Sequence, residues 1–425
     1  MSNDSSGSST SPVSPAARSW GVLFNSGIVM VGFLLSRVIG LVRERMFASA
    51  FGTNATTDIY KTAFQIPDLL YLVIIGGALG SAFIPVFSEV LTTKNAQRAW
   101  QITNTVVNIA LILLVAVSAL IALLAGPLMS LIYPDFTPEQ HALLVYLTRL
   151  FLLSPLLLGL GGLAMATLNA LDRFTLPALA PVIYNVSIIV GIVFFAPWFA
   201  SSGWARYPES VIVQTDGQAV SIEGVAWGVV IGALLHLLFQ LPGVFRAGFR
   251  YQPLLEWRDS AVRRIGTLMA PRVFGQAALQ INLIVMNVIA LKLADDGQAT
   301  ALNQAYQLML LPHGIFALSL ATVMFPQLAR FYAVGNTGEF ATIVRGTLRT
   351  VLWTVFPAAV GLAALSVPIV RVIFQGGEFN DQSTSLVASA LIFYATALPA
   401  FAASEVLIRA FYAMQDTRTP VVVGL

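Results

Sequence analysis

Apolar residues gather along this chain into long blocks separated by short polar stretches, at lengths that suit helices better than strands. Stretches at about 21–42, 62–88, 101–132, 140–167, 175–200, 219–243, 265–293, 299–327, 346–370 and 383–413 are each long and apolar enough to cross a bilayer. A hydrocarbon core about 30 Å thick takes about 20 residues of helix, so the pattern predicts ten crossings. Several blocks run well past that length, with Pro67, Pro85, Pro155 and Pro312 in or at the ends of them. Proline is tolerated at membrane depth where neighbouring helices or water re-satisfy the freed carbonyl, as in transporter helices. Residues 1–19, MSNDSSGSSTSPVSPAARS, carry no apolar run and read as a disordered tail rather than a secretory signal.

Composition explains what the blocks face. Of the 425 residues 57% are hydrophobic and 10% charged, against about 25% charged in a soluble protein. A water-facing surface of this size needs far more charge, so a soluble enzyme is excluded and the fold class is an all-α polytopic membrane protein. A net charge of +3 without a basic run excludes nucleic acid as a partner. The absence of cysteine excludes disulfides and thiolate chemistry. His141, His236 and His313 are scattered singly, so no metal site and no cofactor are expected. There is no GxxxxGK[ST] loop, and hence no nucleotide. The pair Asp295-Asp296 reads as a solvated turn before Gly297.

Lys and Arg sort by loop. With the amino terminus inside, the inner loops collect Arg18, Lys94, Arg98, Arg173, Arg246, Arg250, Arg258, Arg263, Arg264, Arg330, Arg345, Arg349 and Arg418. The outer set is Arg43, Arg45, Lys61, Arg206, Lys292 and Arg371, a ratio of 13 to 6. Basic loops stay on the cytoplasmic side, so the amino terminus is expected in the cytoplasm.

An internal repeat adds the architecture. GSAFIPVFSEV (80–90) resembles LATVMFPQLAR (320–330), with Pro85 and Pro326 separated by 241 residues. LNALDRFTLP (168–177) resembles FYAMQDTRTP (411–420), with Asp172 and Asp416 244 apart and Pro177 and Pro420 243 apart. One offset near 242 residues predicts two homologous units of the same orientation, two six-helix lobes related by a pseudo-two-fold along the membrane normal with a cavity between them. The expected organisation is a tail at 1–19, an N-lobe of helices 1–6 at 20–243, a cytoplasmic connector at 244–264, and an incomplete C-lobe at 265–425 holding helices 7–10 and the start of 11. The second unit stops five residues after Pro420, so the chain is expected to be truncated at its carboxyl end.

Charges within spans are expensive in lipid and mark candidate function. Arg37, Arg149, Arg272 and Arg409 lie in predicted helices, and Arg43, Glu44, Arg45, Asp58, Lys61 and Asp68 cluster at the outer mouth of the first two. Arg37, Gly40 and Glu44 share one helical face, as do Asp58, Lys61, Gln65 and Asp68. Two such faces together would line a wet, positively charged cavity, and an arginine fork suits phosphate or carboxylate. Snorkelling to headgroups, or pairing of Arg43 or Arg45 with Glu44 or Asp58, accounts equally for those near helix ends. Gly76, Gly77 and Gly80 read as close helix packing. Gln276, Gln280, Asn282, Asn287, Asn303, Gln304 and Gln307 suit sugar or peptide contacts, or interhelical hydrogen bonds.

SRVIGLVRERMFASAFGTNATTDIYKTAFQIPDLL (36–70), GGALGSAFIPVFSE (76–89), NALDRFTLPALAPVIYN (169–185), TALNQAYQLMLLPHGIFALSLATVMFPQLAR (300–330) and FYAMQDTRTP (411–420) resemble the MviN/MurJ family of the multidrug/oligosaccharidyl-lipid/polysaccharide exporter superfamily. The resemblance runs from about residue 20 to the end, and its most specific block is SR-x-x-G-x-x-R followed by T-D. It implies fourteen helices and a lipid II flippase: a secondary transporter, not an enzyme, in the bacterial inner membrane. Its implied partners are lipid II, membrane lipid and cell-wall synthesis proteins. By motif the family's cavity residues fall on Arg37, Arg43 and Asp58, with Glu44 where an acidic residue commonly follows; Arg272 is a further candidate for the substrate's charge. Departures are Tyr71 and Leu72 where many members carry an Arg-Arg pair, Gly76 in place of an acid, and Gln307 where an arginine is common. They keep two alternatives open, a sister exporter of another lipid-linked oligosaccharide or a drug, and a non-transporting scaffold of envelope assembly.

Overall fold

In the computed structural model the described residues are 15–425 apart from 75–77, 208–211, 216, 293–295, 415, 417–418, 421–422 and 424–425. Side chains are further left undescribed at 15–29, 33, 74, 78–81, 271–272, 274–276 and 278–279. The helices are α1 Pro15–Phe51, α2 Ala55–Ile74, α3 Ala78–Thr93, α4 Ala96–Ile132, α5 Pro138–Phe151, α6 Leu153–Ala170, α7 Thr175–Val190 and α8 Ala196–Ser202. They continue with α9 Ile222–Arg246, α10 Ser260–Leu291, α11 Gln298–Pro312, α12 Ser319–Ala333, α13 Thr337–Ala364, α14 Ser366–Phe374 and α15 Asp381–Ala413.

Among the described residues seven segments are long and apolar enough to cross a membrane: Ala96–Ile132, Pro138–Ala170, Thr175–Ser202, Ile222–Arg246, Gln298–Ala333, Thr337–Ala364 and Asp381–Ala413. Each matches a predicted span. The other three predicted spans fall on α1, on α2 with α3, and on α10, helices that include undescribed residues. Gly76 and Gly77 lie outside the described residues, Gly80 falls in α3 with its surroundings undescribed, and the side chain of Arg272 is undescribed as well.

Local chemistry sets the helix boundaries. Asn95 accepts from Arg98 N at the start of α4, and Thr137 with Gln140 forms a reciprocal capping box on α5. Gly52, with φ 65°, ends α1 in the left-handed conformation that glycine adopts without strain. Asn54 then caps α2 by accepting from Thr57 N at 3.1 Å. Two wide turns interrupt longer spans, Gly191–Phe195 between α7 and α8 and His313–Leu318 between α11 and α12. The second begins just after Pro312, whose missing N–H breaks the regular hydrogen-bond ladder and favours a π turn.

The helical expectation carries one addition, a hairpin in the loop before α9. Its strands β1 Ile212–Thr215 and β2 Gln218–Ser221 pair antiparallel, with Ile212 opposite Ser221. Thr215 Oγ1 donates to Ala50 O at 2.6 Å, tying the hairpin to the end of α1.

Packing separates the chain into a first half, α1–α9, and a second half, α11–α15. Phe47, Tyr60, Leu147, Phe151 and Val229 belong to one core of the first half, and Phe83, Phe87, Ile102 and Leu163 to another. Met309, Leu328, Val355 and Val406 form the second half's core. The linker before α10 is held against the first half. Asn104 and Asn108 of α4, both buried, donate to the carbonyls of Arg250, Gln252 and Leu254. Arg98 pairs with Glu256 at 2.9 Å and with Asp259. The first turn of α10, Ala261, Val262 and Ile265, then buries in the first half's core.

Candidate functional site

A cavity of about 320 Å³ lies where α1, α2 and α7 face α10, α11 and α15. Both helices that carry its charge are placed by the tight turn at Gly52, which lays α2 back against α1 with Phe47 stacked on Tyr60 at 5.0 Å. Arg43, Glu44, Lys61 and Asp68 line it. Glu44 is 2% exposed and is held between two cations. Lys61 Nζ donates to its Oε1 at 2.5 Å, and Arg43 donates to its Oε2 at 3.3 Å. Arg43 also donates to Asn185 Oδ1 at 2.9 Å, and Lys61 sits 4.9 Å over the Phe47 ring. Asp68 is exposed to the cavity. Two cations therefore meet two carboxylates, and the described lining is formally neutral, where the sequence suggested a positive cavity.

The rest of the lining is amide and aromatic. Gln65, Gln280, Asn287, Asn303 and Gln307 offer donors and acceptors, while Tyr60, Phe64, Tyr184, Tyr306 and Tyr394 form the ring surfaces. Asn287 donates to Thr62 at 3.0 Å, Gln307 to Asn303 at 3.0 Å, and Tyr133 to Gln65 at 2.8 Å. These bonds fix amides that the sequence singled out only as polar. The aromatic walls went unnoticed there, since aromatic residues in apolar helices carry no signal of their own.

The five sequence candidates separate. Arg43 and Glu44 meet in the cavity. Arg37 is exposed, and its guanidinium lies beside Gly314, 3.7 Å from where a Cβ on that glycine would stand. Gly40 packs toward Asn185 of α7. Arg272 has no described side chain. Asp58 is buried, and its Oδ1 accepts from Thr300 N and Thr300 Oγ1 at 2.7 Å while Oδ2 accepts from Gly297 N at 2.8 Å. It caps the start of α11 from across the interface, where unsatisfied amides and the helix dipole favour a carboxylate.

That capping belongs to a wider seal between the halves. Arg45 donates to Val372 O at 2.8 Å, Glu378 N to Ser49 O at 2.9 Å, and Thr53 Oγ1 to Ser383 Oγ at 2.6 Å. The backbones come so close that a Cβ on Gly297, at φ 89°, would stand 2.8 Å from Thr53 O. A smaller cavity of about 150 Å³ adjoins the seal, lined by Asp58, Tyr133, Asp135, Lys292 and Asp296. Asp296 is exposed in the turn before Gly297, as predicted; Asp295 lies outside the described residues.

Comparison with known proteins gives a consistent picture. The family model described as lipid II flippase MurJ matches residues 47–425. The chain is 32% identical over 394 residues to the probable lipid II flippase MurJ of Buchnera aphidicola, covering 92% of this chain and 73% of the relative. It is 30% identical over 414 residues to the lipid II flippase MurJ of Burkholderia cenocepacia, covering 95% and 76%. Among solved structures it resembles a lipid II flippase MurJ in an inward closed conformation, with TM-score 0.74 and 24% identity over 93% of this chain and 78% of that one. An inward-facing multidrug resistance MATE transporter of the MOP superfamily matches with TM-score 0.71 and 12% identity, over 93% and 87%. At those identities the structures speak for the fold alone.

Proposed function

The chain belongs to the lipid II flippase MurJ family, and from that premise we propose that it flips lipid II, the polyprenyl-diphosphate-linked peptidoglycan precursor, from the inner to the outer leaflet. The observation that carries the reading is the mixed lining of the cavity between the halves. Arg43 and Lys61 match a diphosphate, and the amides and rings match a glycopeptide. The polyprenyl tail stays in the bilayer.

The resting state keeps both cations bonded to Glu44, so an arriving diphosphate competes with that carboxylate for the same N–H groups. Arg37 and Arg272 are the further cations of the proposal; Asp58 contributes by holding α2 to α11. Transport proceeds by alternating access. The seal at residues 45–58, 297–300 and 372–383 is the closed outer side in this reading, with the amino terminus cytoplasmic. The two-fold relation of the halves rests on the sequence repeat, with Pro85 and Pro326 241 residues apart and Pro177 and Pro420 243 apart.

The formally neutral lining bears on the driving force. An anionic headgroup moving outward is favoured by an inside-negative potential by about 2.3 kcal/mol per charge per 100 mV. An empty neutral cavity returns without moving charge. The protein would thus act as a secondary transporter driven by the membrane potential, with no nucleotide step.

The test is complementation of a flippase-depleted bacterium with wild-type protein and with Arg37→Ala and Arg43→Ala, at matched expression. Growth is expected from wild type and not from the Arg43 variant; growth with both variants would sink the diphosphate assignment.

A further inference from the structure

A second polar cluster sits in the body of the second half, away from the cavity lining. His313 opens the π turn after α11 and is 7% exposed. Its Nε2 is buried and has no hydrogen-bond partner. That atom faces Glu405 of α15, with Oε2 4.0 Å away, too far for a hydrogen bond and near enough for a strong charge interaction. Glu405 pairs one turn along with Arg409, and Arg409 donates to Thr322 of α12 at 3.3 Å. The other side of the imidazole rests against the Phe401 ring at 5.2 Å. From the first half, Arg37 reaches the neighbouring Gly314.

An unpartnered ring nitrogen buried in lipid-spanning helices is costly to leave unmade, and here it points at a carboxylate that has one oxygen bonded and one facing the ring. We propose that His313 and Glu405 form a proton-binding site, separate from the substrate cavity, whose occupancy controls the contact between Arg37 and the π turn, and so between the halves.

The charges around His313 set the sign. Glu405 is the carboxylate facing it; Arg409 on the same helix and Arg37 on α1 are the cations. Thr322 on α12 is uncharged at any pH of interest, and α13, which also packs on the turn, has no titratable side chain from Thr350 to Ala364. A proton taken up on Nε2 turns the 4.0 Å gap into a charge-assisted hydrogen bond with Glu405. The same proton places a cation beside Arg37 and pushes it off Gly314. Binding therefore draws the turn toward α15 and loosens α1. The π turn, with Pro312 before it and Gly314 within it, is a place where a helix bends readily.

The experiment uses the full chain in nanodiscs without added lipid substrate, so its result is independent of the proposed cargo. The chain holds three histidines and no cysteine, which makes two readouts direct. Carbon-13 histidine spectra, assigned with His313→Gln, report the protonation of His313 across pH 4 to 8. Labels at Leu34→Cys and Val323→Cys, both exposed, report the distance between the halves. His313 is expected to titrate, and acidification to lengthen the Leu34–Val323 distance. Glu405→Gln is expected to weaken proton binding at His313 by about tenfold, in keeping with loss of an opposite charge at this range. His313→Gln, an uncharged donor of similar reach, should abolish the pH dependence of the distance. A silent His313 over this range, an unchanged midpoint in Glu405→Gln, or a pH-dependent distance surviving in His313→Gln overturns the proposal.

Discussion

The two walls of the cavity are built from different chemistry. The wall from the first half carries all the described charge: Arg43 and Lys61 bonded to Glu44, with Asp68 exposed beside them. The wall from α10, α11 and α15 carries no charge among the described residues and offers Gln280, Asn287, Asn303, Gln307, Tyr306 and Tyr394. Charge is long-ranged and strong in a low-dielectric setting, whereas amides and rings act only at contact. In the proposed function one wall selects the class of headgroup, and the other reads its shape once the halves come together.

The largest effect should come from the charged wall. Arg43→Ala removes the fork that bonds both Glu44 and Asn185, and hydrogen bonds to charged groups contribute about 1.5–3 kcal/mol. A leaflet assay with labelled lipid II is expected to show a loss of about 100-fold, with Arg43→Lys recovering part of it. Equal losses from an uncharged residue of the opposite wall would erase the distinction.

Glu44→Gln sharpens it differently. The substitution leaves Arg43 and Lys61 without their shared carboxylate, so the empty cavity gains a formal positive charge. Binding of a diphosphate lipid should tighten, by about tenfold, while turnover becomes slower and more dependent on the membrane potential, because the empty return now moves charge. Flipping measured against an imposed potential checks this; a voltage dependence identical to wild type contradicts it.

On the neutral wall, Asn287→Ala and Gln307→Ala should each reduce flipping by about three- to tenfold, the range of one neutral hydrogen bond at about 0.5–1.5 kcal/mol. The reduction should appear in the concentration dependence rather than in the voltage dependence.

The smallest expected effect lies outside the bilayer and touches neither wall. Asp259 caps α10 ahead of its first turn. Burial works against its ionisation, but the amides of Val262 and Ala261 and the Arg98 guanidinium hold its carboxyl below the usual range. A carboxyl lowered in the folded state stabilises above its unfolded value, about 3.9, and that stability is lost as pH falls through the folded value. Melting temperatures of wild type and Asp259→Asn should converge on acidification below about pH 4 and differ above it.

Much of this was legible in the chain. A bilayer imposes its thickness on every crossing, so span positions follow from hydropathy alone, and the seven described spans fall where apolar blocks predicted them. The polar face Asp58, Lys61, Gln65 and Asp68 was visible from helical spacing, because three- and four-residue offsets must return to one side. What each member does was not visible. Lys61, Gln65 and Asp68 turn into the cavity, while Asp58 bonds Gly297 and Thr300, 239 and 242 residues away. No local spacing encodes a partner at that distance. His313 looked solitary for the same reason, since Glu405 stands on another helix.

By itself, then, the sequence determined that the chain lives in lipid, roughly where its apolar spans fall, and which few polar residues those helices must carry inside. These follow from solvent and backbone, which act on each segment separately. Only the tertiary structure decided which charges cancel, that Arg43 and Lys61 share Glu44, which carboxylate closes the seal, and that a buried imidazole faces an acid. Each of those is a relation between helices, and its energy depends on distances that packing alone sets.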